Sequence, residues 1–359
     1  MGLVFQTDVD PCLFMSEHVI CVTYVDDCVM VASDVKYLDE LVTRLLEKRK
    51  MNLEEEDDVC GFLGVHLLRE EHHITLTQKG LIARIIDALH IEDMPSVATP
   101  ADRVLGKDLD GEPASGDFNY SSVVGMLWYL LSNSRPELAF AVSQAARFAF
   151  NPKRSHELAL IRIGQYLKGT ATQGLIMEPM KTDAFQMDCY VDSDFMGIYG
   201  RELRTDPDNV RSRMGHVILL NECPIIWSSK LQDAISLSTM MAEYYALSAA
   251  MREVIPLRNL VFAMARGCGL EQTCHTTFKT TVWEDNMGAL TLANLDPGQT
   301  TPRSKFYDVK VHWFRAELKN NPDQLKVMKV DTKFQLADLF TKPLVREQFT
   351  HLRMILCGW

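Results

Sequence analysis

Hydrophobic and polar positions along this chain follow two rhythms, one of period two and one of period 3.6, and the places where they switch mark out its elements. Val19-Ile20-Cys21-Val22-Thr23-Tyr24 and Cys28-Val29-Met30-Val31-Ala32 are strand-like runs rich in β-branched residues, and the acidic turn Val25-Asp26-Asp27 between them predicts a hairpin with carboxylates at its tip. Asp34 is placed to cap a helix in which Leu38, Leu41, Val42, Leu45 and Leu46 recur at helical spacing, and the basic run Lys48-Arg49-Lys50 suits that helix's C-terminus. Gly61 to Leu67 and His73 to Thr77 predict paired short strands, and Gln78 to His90 a helix. The polar stretch from Thr99 to Gly116, containing Gly and Pro, predicts a linker. Val123 to Leu131, Pro136 to Phe150 and His156 to Leu167 have helical periodicity, so the middle of the chain reads as an all-helical module. From about Thr182 strands return: Met187, Cys189 and Val191 alternate with Asp188, Tyr190 and Asp192, followed by His216 to Leu220, Ile225 to Trp227, Thr280 to Trp283 and Leu325 to Val330. With helices between and after them, a mixed sheet with flanking helices is the simplest packing.

Composition narrows the class. At 359 residues, 47% hydrophobic and 24% charged, the chain is ordinary for a globular protein of two or three domains. The most apolar stretch, Val254 to Ala265, contains Arg258 and Pro256, so a membrane span is not expected. The N-terminal residues lack the basic start, apolar centre and small-residue cleavage site of a secretory signal, which reads as an intracellular protein. Nine scattered cysteines without a Cys-x-x-Cys pair predict neither a disulfide framework nor a zinc finger, and Cys268, Cys274 and His275 lack a fourth ligand. The net charge of -11 opposes non-specific adhesion to nucleic acid, although the run Glu54-Glu55-Glu56-Asp57-Asp58 supplies part of it.

Four carboxylates stand out against the patterns that surround them. Met240, Glu243, Leu247, Ala250 and Val254 define one helix face, so Glu243 falls inside an apolar stripe. A buried carboxylate is expensive, on the order of several kcal/mol, unless it meets a cation or accepts hydrogen bonds. A metal would resolve this, as would solvent at the edge of the stripe or an arginine partner. Asp192 and Asp285 each end a run dense in β-branched or aromatic residues, where the chain leaves the sheet. Asp338 opens a short helix near the C-terminus, and both Asp285 and Asp338 also suit a simple helix N-cap. Asp194 lies two positions beyond Asp192 and shares its face only if the strand continues. Taken together, the four carboxylates suggest a site for two divalent ions and phosphodiester hydrolysis.

At this point the residues carry a family likeness. Asp8-Val9-Asp10-Pro11-Cys12-Leu13-Phe14 leads into Tyr24-Val25-Asp26-Asp27, and Phe62-Leu63-Gly64 follows. Then come Tyr120-Ser121-Ser122-Val123-Val124-Gly125, Leu127-Trp128-Tyr129-Leu130, Ser134-Arg135-Pro136-Glu137 and Tyr166-Leu167-Lys168-Gly169-Thr170. The last third holds Tyr190-Val191-Asp192-Ser193-Asp194, Ser212-Arg213-Met214-Gly215, Ile226 to Gln232, Ala242-Glu243-Tyr244, Asp285-Asn286 and Leu336 to Leu344. This ordered series resembles the C-terminal part of a copia-type retrotransposon Pol polyprotein. The resemblance implies an α/β protein in three parts: a partial reverse transcriptase palm and thumb over 1–100, a helical connection over 101–180, and a ribonuclease H-like mixed five-stranded sheet with flanking helices over 181–359.

By the same resemblance Asp192, Glu243, Asp285 and Asp338 match the catalytic, metal-holding carboxylates of ribonuclease H, with two Mg²⁺ (or Mn²⁺) ions, and Asp26 and Asp27 match polymerase metal ligands. The implied substrate is the RNA strand of an RNA–DNA hybrid, and Lys305, Lys310, His312 and Arg315 form one polar segment suited either to phosphate contact or to solvent. In the family a third polymerase aspartate lies well upstream of the Tyr24 to Asp27 box, which here comes about two dozen residues into the chain. Polymerase activity is therefore expected to be lost unless a separate polypeptide supplies the missing palm. A non-catalytic, truncated mobile-element remnant, or a nucleic-acid-binding module, is the competing expectation. Two further departures are Phe306 where the family commonly shows His, and Met241 where Glu is usual.

Overall fold

The computed structural model describes residues 4–5, 10–50, 61–182, 184–200, 206–302, 304 and 311–359. These residues form a mixed α/β structure in two compact units, a smaller one drawn from 1–60, 182–185 and 252–278, and a larger one from 61–181, 186–251 and 279–359.

In the smaller unit, strands β1 (Val4–Phe5), β2 (Leu13–Met15), β3 (Val19–Tyr24) and β4 (Asp27–Ala32) lie side by side in chain order, all antiparallel. The expected hairpin is β3–β4, closed so tightly that Val25 takes a left-handed φ of 55°, a conformation a β-branched side chain resists. Asp34 caps α1 (Val35–Arg49) by accepting from the Lys36 N–H, and Lys48 and Arg49 end it. The second half of a long helix, α6 (Thr239–Gly267), also belongs here, with α7 (Glu271–Thr277) after it. A side chain at Gly267 would meet Met15 at 2.7 Å, so glycine is what lets α6 approach β2.

The larger unit contains a small antiparallel sheet of β5 (His66–Arg69), β6 (Ile74–Thr77) and β7 (Leu175–Met177), and helices α2 (Lys79–Leu89), α3 (Tyr120–Asn133), α4 (Ala139–Ala146) and α5 (Arg154–Gly169). Its main sheet is five-stranded and mixed, as the sequence predicts. Strands β8 (Gln186–Asp194), β9 (Arg213–Leu220), β10 (Cys223–Leu231), β11 (Lys279–Glu284) and β12 (Leu325–Lys329) lie in the order β10-β9-β8-β11-β12. Successive strands β8, β9 and β10 are antiparallel, whereas β11 and β12 run parallel to β8. Helices α8 (Met287–Ala293), α9 (Phe314–Asn320), α10 (Asp338–Thr341) and α11 (Arg346–Cys357) complete the unit.

One core joins the helices of the middle of the chain to the main sheet. Leu127, Leu130, Val142, Leu160 and Tyr166 belong to the same buried cluster as Val217 and Leu219 of β9, Phe340 of α10 and Leu352 of α11. The Thr99 to Gly116 stretch is irregular but anchored: Leu105 is buried, and Gln144 of α4 accepts from the Leu105 N–H and donates to the Arg103 carbonyl. A buried ion pair ties the two ends of this half together. The Arg135 guanidinium bonds Glu137 at 2.7 Å and the Thr170 hydroxyl at 2.7 Å, while Tyr166, Cys357 and the Trp359 ring close around it. The Ser134 to Glu137 and Tyr166 to Thr170 motifs thus meet in space and build the core.

Candidate active site

Asp192 lies near the C-terminal end of β8, Asp285 directly follows β11, and the two strands are parallel neighbours, so the chain leaves the sheet for both at one end. Glu243 comes from the N-terminal part of α6. Oxygens of Asp192, Glu243 and Asp285 all lie within 4.8 Å of one another. Asp192 and Glu243 are buried, and Asp285 is half-buried.

Asp338, the first residue of α10, joins them through a lysine. The Lys342 Nζ lies 2.7 Å from Asp338 and 3.3 Å from Asp192. Burial opposes that charge, but Asp192 and Asp338 more than offset it and hold the ammonium above its ordinary range. The Thr341 hydroxyl donates to Asp192, and Gln348 donates to Asp338 at 3.1 Å. Burial, and then the charge of Asp192, push the Asp338 carboxyl up to about 6. Glu243 is raised well above the carboxylate range by burial, then by Asp192, Glu284 and Asp285.

Buried polar side chains hold these groups in place. Gln232 sends its amide to the Ala242 carbonyl at 2.7 Å and to Ser193, fixing the start of α6 against β8. Gln335 bonds the Val191 carbonyl at 2.8 Å and pins the loop before α10 to the same strand. Gly215 pairs directly with Asp192 across β8 and β9, and a Cβ there would lie 2.5 Å from the Phe340 Cβ, so only glycine admits α10 at this distance.

The residues fit oxygen-liganded divalent cations. Converging like charges repel unless a cation lies among them, and carboxylate oxygens are the donors that Mg²⁺ and Mn²⁺ prefer. Moreover, Glu243 Oε2 and Glu284 Oε2 are buried without a hydrogen-bond partner among the described residues.

The comparisons with known proteins bear on the whole chain. Residues 8–103 match the family model for reverse transcriptase (RNA-dependent DNA polymerase). Over 96% of its length the chain is 27% identical to the retrovirus-related Pol polyprotein from transposon TNT 1-94 of Nicotiana tabacum, and over 91% it is 27% identical to that from transposon RE1 of Arabidopsis thaliana. The chain belongs to the copia-type Pol family. It spans 25% of the TNT 1-94 polyprotein and 21% of the RE1 polyprotein. Among solved structures, LC11 RNase H1 in complex with an RNA/DNA hybrid aligns with 43% of this chain and 93% of its own, at 15% identity and a TM-score of 0.29.

Not every residue singled out in this copia-type Pol sequence joins the carboxylates. Asp26 and Asp27 are exposed at the β3–β4 tip, in the smaller unit. Lys305, Lys310 and Phe306 lie outside the described residues. Arg315 is buried, donating to the Tyr244 hydroxyl at 2.8 Å and the Gln299 carbonyl at 2.8 Å, and His312 bonds the same hydroxyl at 2.9 Å. Both therefore brace the residue next to Glu243. Two members of the site were missed. Glu284, fully buried, continues the inward alternation of Thr280 and Val282, and Lys342 is four residues from Asp338 on a helix, a spacing that makes ion pairs. No helix among the described residues is long and apolar enough to cross a membrane.

Proposed function

We propose that this chain hydrolyses the RNA strand of RNA–DNA hybrids, with Asp192, Glu243, Asp285 and Asp338 holding two divalent ions, Mg²⁺ or Mn²⁺. The observation that carries the reading is the convergence of Asp192, Glu243 and Asp285 within 4.8 Å, with a buried Glu243 oxygen left unbonded among the described residues. When bound, such ions lower the pKa of a water and stabilise the leaving oxygen of an in-line displacement. The chain's own residues do the rest. Asp192, reached from β8, Glu243 and Asp285, faces both parts of the ligand set, and Gln232 and Gln335 keep α6 and the loop before α10 in register with it. Lys342 neutralises Asp192 and Asp338, which otherwise repel each other.

In this reading residues 1–100 derive from the reverse transcriptase, 101–180 from the connection and 181–359 from the ribonuclease H, with Asp26 and Asp27 as the remnant of a polymerase metal site. The test uses the full chain, an end-labelled RNA–DNA hybrid, Mg²⁺ or Mn²⁺, and Asp192→Asn beside a chelator control. Cutting of the RNA that requires both metal and Asp192 supports the reading. A folded chain that binds hybrid without cutting it sinks the reading in favour of a binding remnant.

A further inference from the structure

Arg213 is a buried cation with no carboxylate bonded to it among the described residues. It opens β9 and is 4% exposed. Its Nη1 instead donates to two hydroxyls, Ser143 at 2.8 Å and Ser229 at 3.1 Å, and its plane lies over the Phe140 ring at 5.4 Å. Neutral hydroxyls satisfy hydrogen bonds but not the charge, which Asp194 offsets only in part against burial and Arg147, and an incompletely compensated buried charge is costly.

The surroundings show where the compensation belongs. Arg213 borders a pocket of about 380 Å³ whose charged lining is Lys107, Arg147, Arg213 and Lys230 against the single carboxylate Asp208. Asp208 is itself held by Arg147 and Arg211, and Lys107 by Asp206. Asp194, opposite Arg213 on β8, attracts the guanidinium electrostatically, but no ion pair between the two is found among the described residues. Burial and then Arg147 pull the Arg213 guanidinium down to about 9, the direction expected of a cation facing another cation. The exposed Trp128 ring stands at the rim.

Register relates this pocket to the carboxylates. In antiparallel pairs, directly opposed residues point to one face, and here Asp192 faces Gly215 while Asp194 faces Arg213. Asp192 and Arg213 therefore share a sheet face and a sheet end, roughly 8 Å apart by strand spacing.

We propose that Arg213, Arg147 and Lys230, with the Ser143 and Ser229 hydroxyls, form an oxyanion pocket that seats a backbone phosphate of the nucleic-acid strand whose neighbouring segment lies at Asp192. The pocket itself stands on its own geometry; the identity of the phosphate's carrier rests on the function proposed above. An arginine presents its donors as a planar fork that matches two phosphate oxygens, and its second edge is already oriented by the two serines.

The test uses the full chain, with Arg213→Gln and the exposed-site variant Lys230→Gln. Binding of a fluorescent RNA–DNA hybrid is measured by anisotropy in chelator, where nothing is cut, across a salt series. Arg213→Gln is expected to weaken binding roughly ten-fold or more, and each variant to lower the salt slope by about one. Inorganic phosphate alone is the second arm. It raises the melting temperature of the wild type and not of Arg213→Gln, and in phosphate-free buffer Arg213→Gln melts no lower than the wild type. Phosphate stabilisation with hybrid binding unchanged in both variants assigns the pocket to free phosphate and overturns the backbone contact. If Arg213→Gln lowers the melting temperature and neither phosphate nor salt slope distinguishes it, Arg213 is a packing residue and the pocket proposal fails. If the slopes drop as expected while the wild type never cuts hybrid, the hydrolytic reading fails and the pocket stands.

Discussion

Gly215→Ala is a one-methyl test of how the site is assembled. The added Cβ lies 2.5 Å from the Phe340 Cβ, 2.9 Å from the Thr341 Cγ2 and 3.1 Å from the Phe340 carbonyl carbon. Ordinary carbon–carbon contact begins near 3.5 Å, so the nearest atom is about 1 Å too close. Two of these atoms cannot escape by rotating, because one is a Cβ and one is backbone. Either α10 moves off the sheet or β9 bends, and α10 with the Lys342 that follows it positions Thr341 and Lys342, which bond Asp192, and Asp338, which is linked to Asp192 through Lys342. Overpacking of this kind costs about 1–3 kcal/mol, and a misplacement of about 1 Å lowers a rate by about 100-fold. The assays are urea unfolding and hybrid cleavage at saturating Mg²⁺, with Gly125→Ala as the control. Gly125 is exposed within α3 with nothing among the described residues near its Cβ position, so alanine there stabilises the helix by about 1 kcal/mol and leaves cleavage unchanged. A Gly215→Ala protein with wild-type stability and cleavage would refute the claim that α10 is seated by this contact.

Other outcomes follow from the same geometry. Lys342→Met leaves Asp192 and Asp338 without their cation, so in chelator it is destabilised by about 1–3 kcal/mol, and saturating Mg²⁺ closes most of the gap in melting temperature; an equal gap with and without metal contradicts the neutralising role. Asp338 has a carboxyl pushed up to about 6, so the folded, metal-free chain binds more protons than the unfolded chain from about pH 4 to 6. Its contribution to stability is therefore present below pH 4 and lost as pH rises through 6, and Asp338→Asn should flatten the chelator stability profile in that window; an unchanged profile argues against it. Arg135→Ala strands the buried Glu137 carboxylate and costs about 3–5 kcal/mol in urea unfolding, with a loss below 1 kcal/mol refuting that ion pair's structural role.

The four carboxylates were legible because each breaks a pattern. Glu243 interrupts an apolar stripe, and that stripe is buried: Leu247, Ala250 and Val254 are all fully inaccessible. Arg315 is read from the sequence as part of a polar segment, yet it is buried beside Phe314 at the start of α9, with Val311 also buried just ahead of that helix, and the Tyr244 hydroxyl accepts from its guanidinium. Glu284 and Arg213 escaped notice for another reason. Their burial depends on strand register and on which helix covers which face, and nothing within β9 announces that α4 will supply a serine to the Arg213 guanidinium. The apolar helices between Val123 and Leu167 were plain in the sequence, whereas their sharing a core with β9 was not.

That shared core has a genetic consequence. Mobile elements recombine, and a crossover is tolerated where few buried contacts are cut. A breakpoint near residue 180 would part Leu127, Leu130 and Val142 from Val217 and Phe340, leaving two half-cores with apolar faces in water. One just ahead of Gly61 severs none of these contacts. The helices and the five-stranded sheet are thus bound to be inherited as one cassette, and chimaeras joined near 180 should be recovered only when both halves come from close relatives.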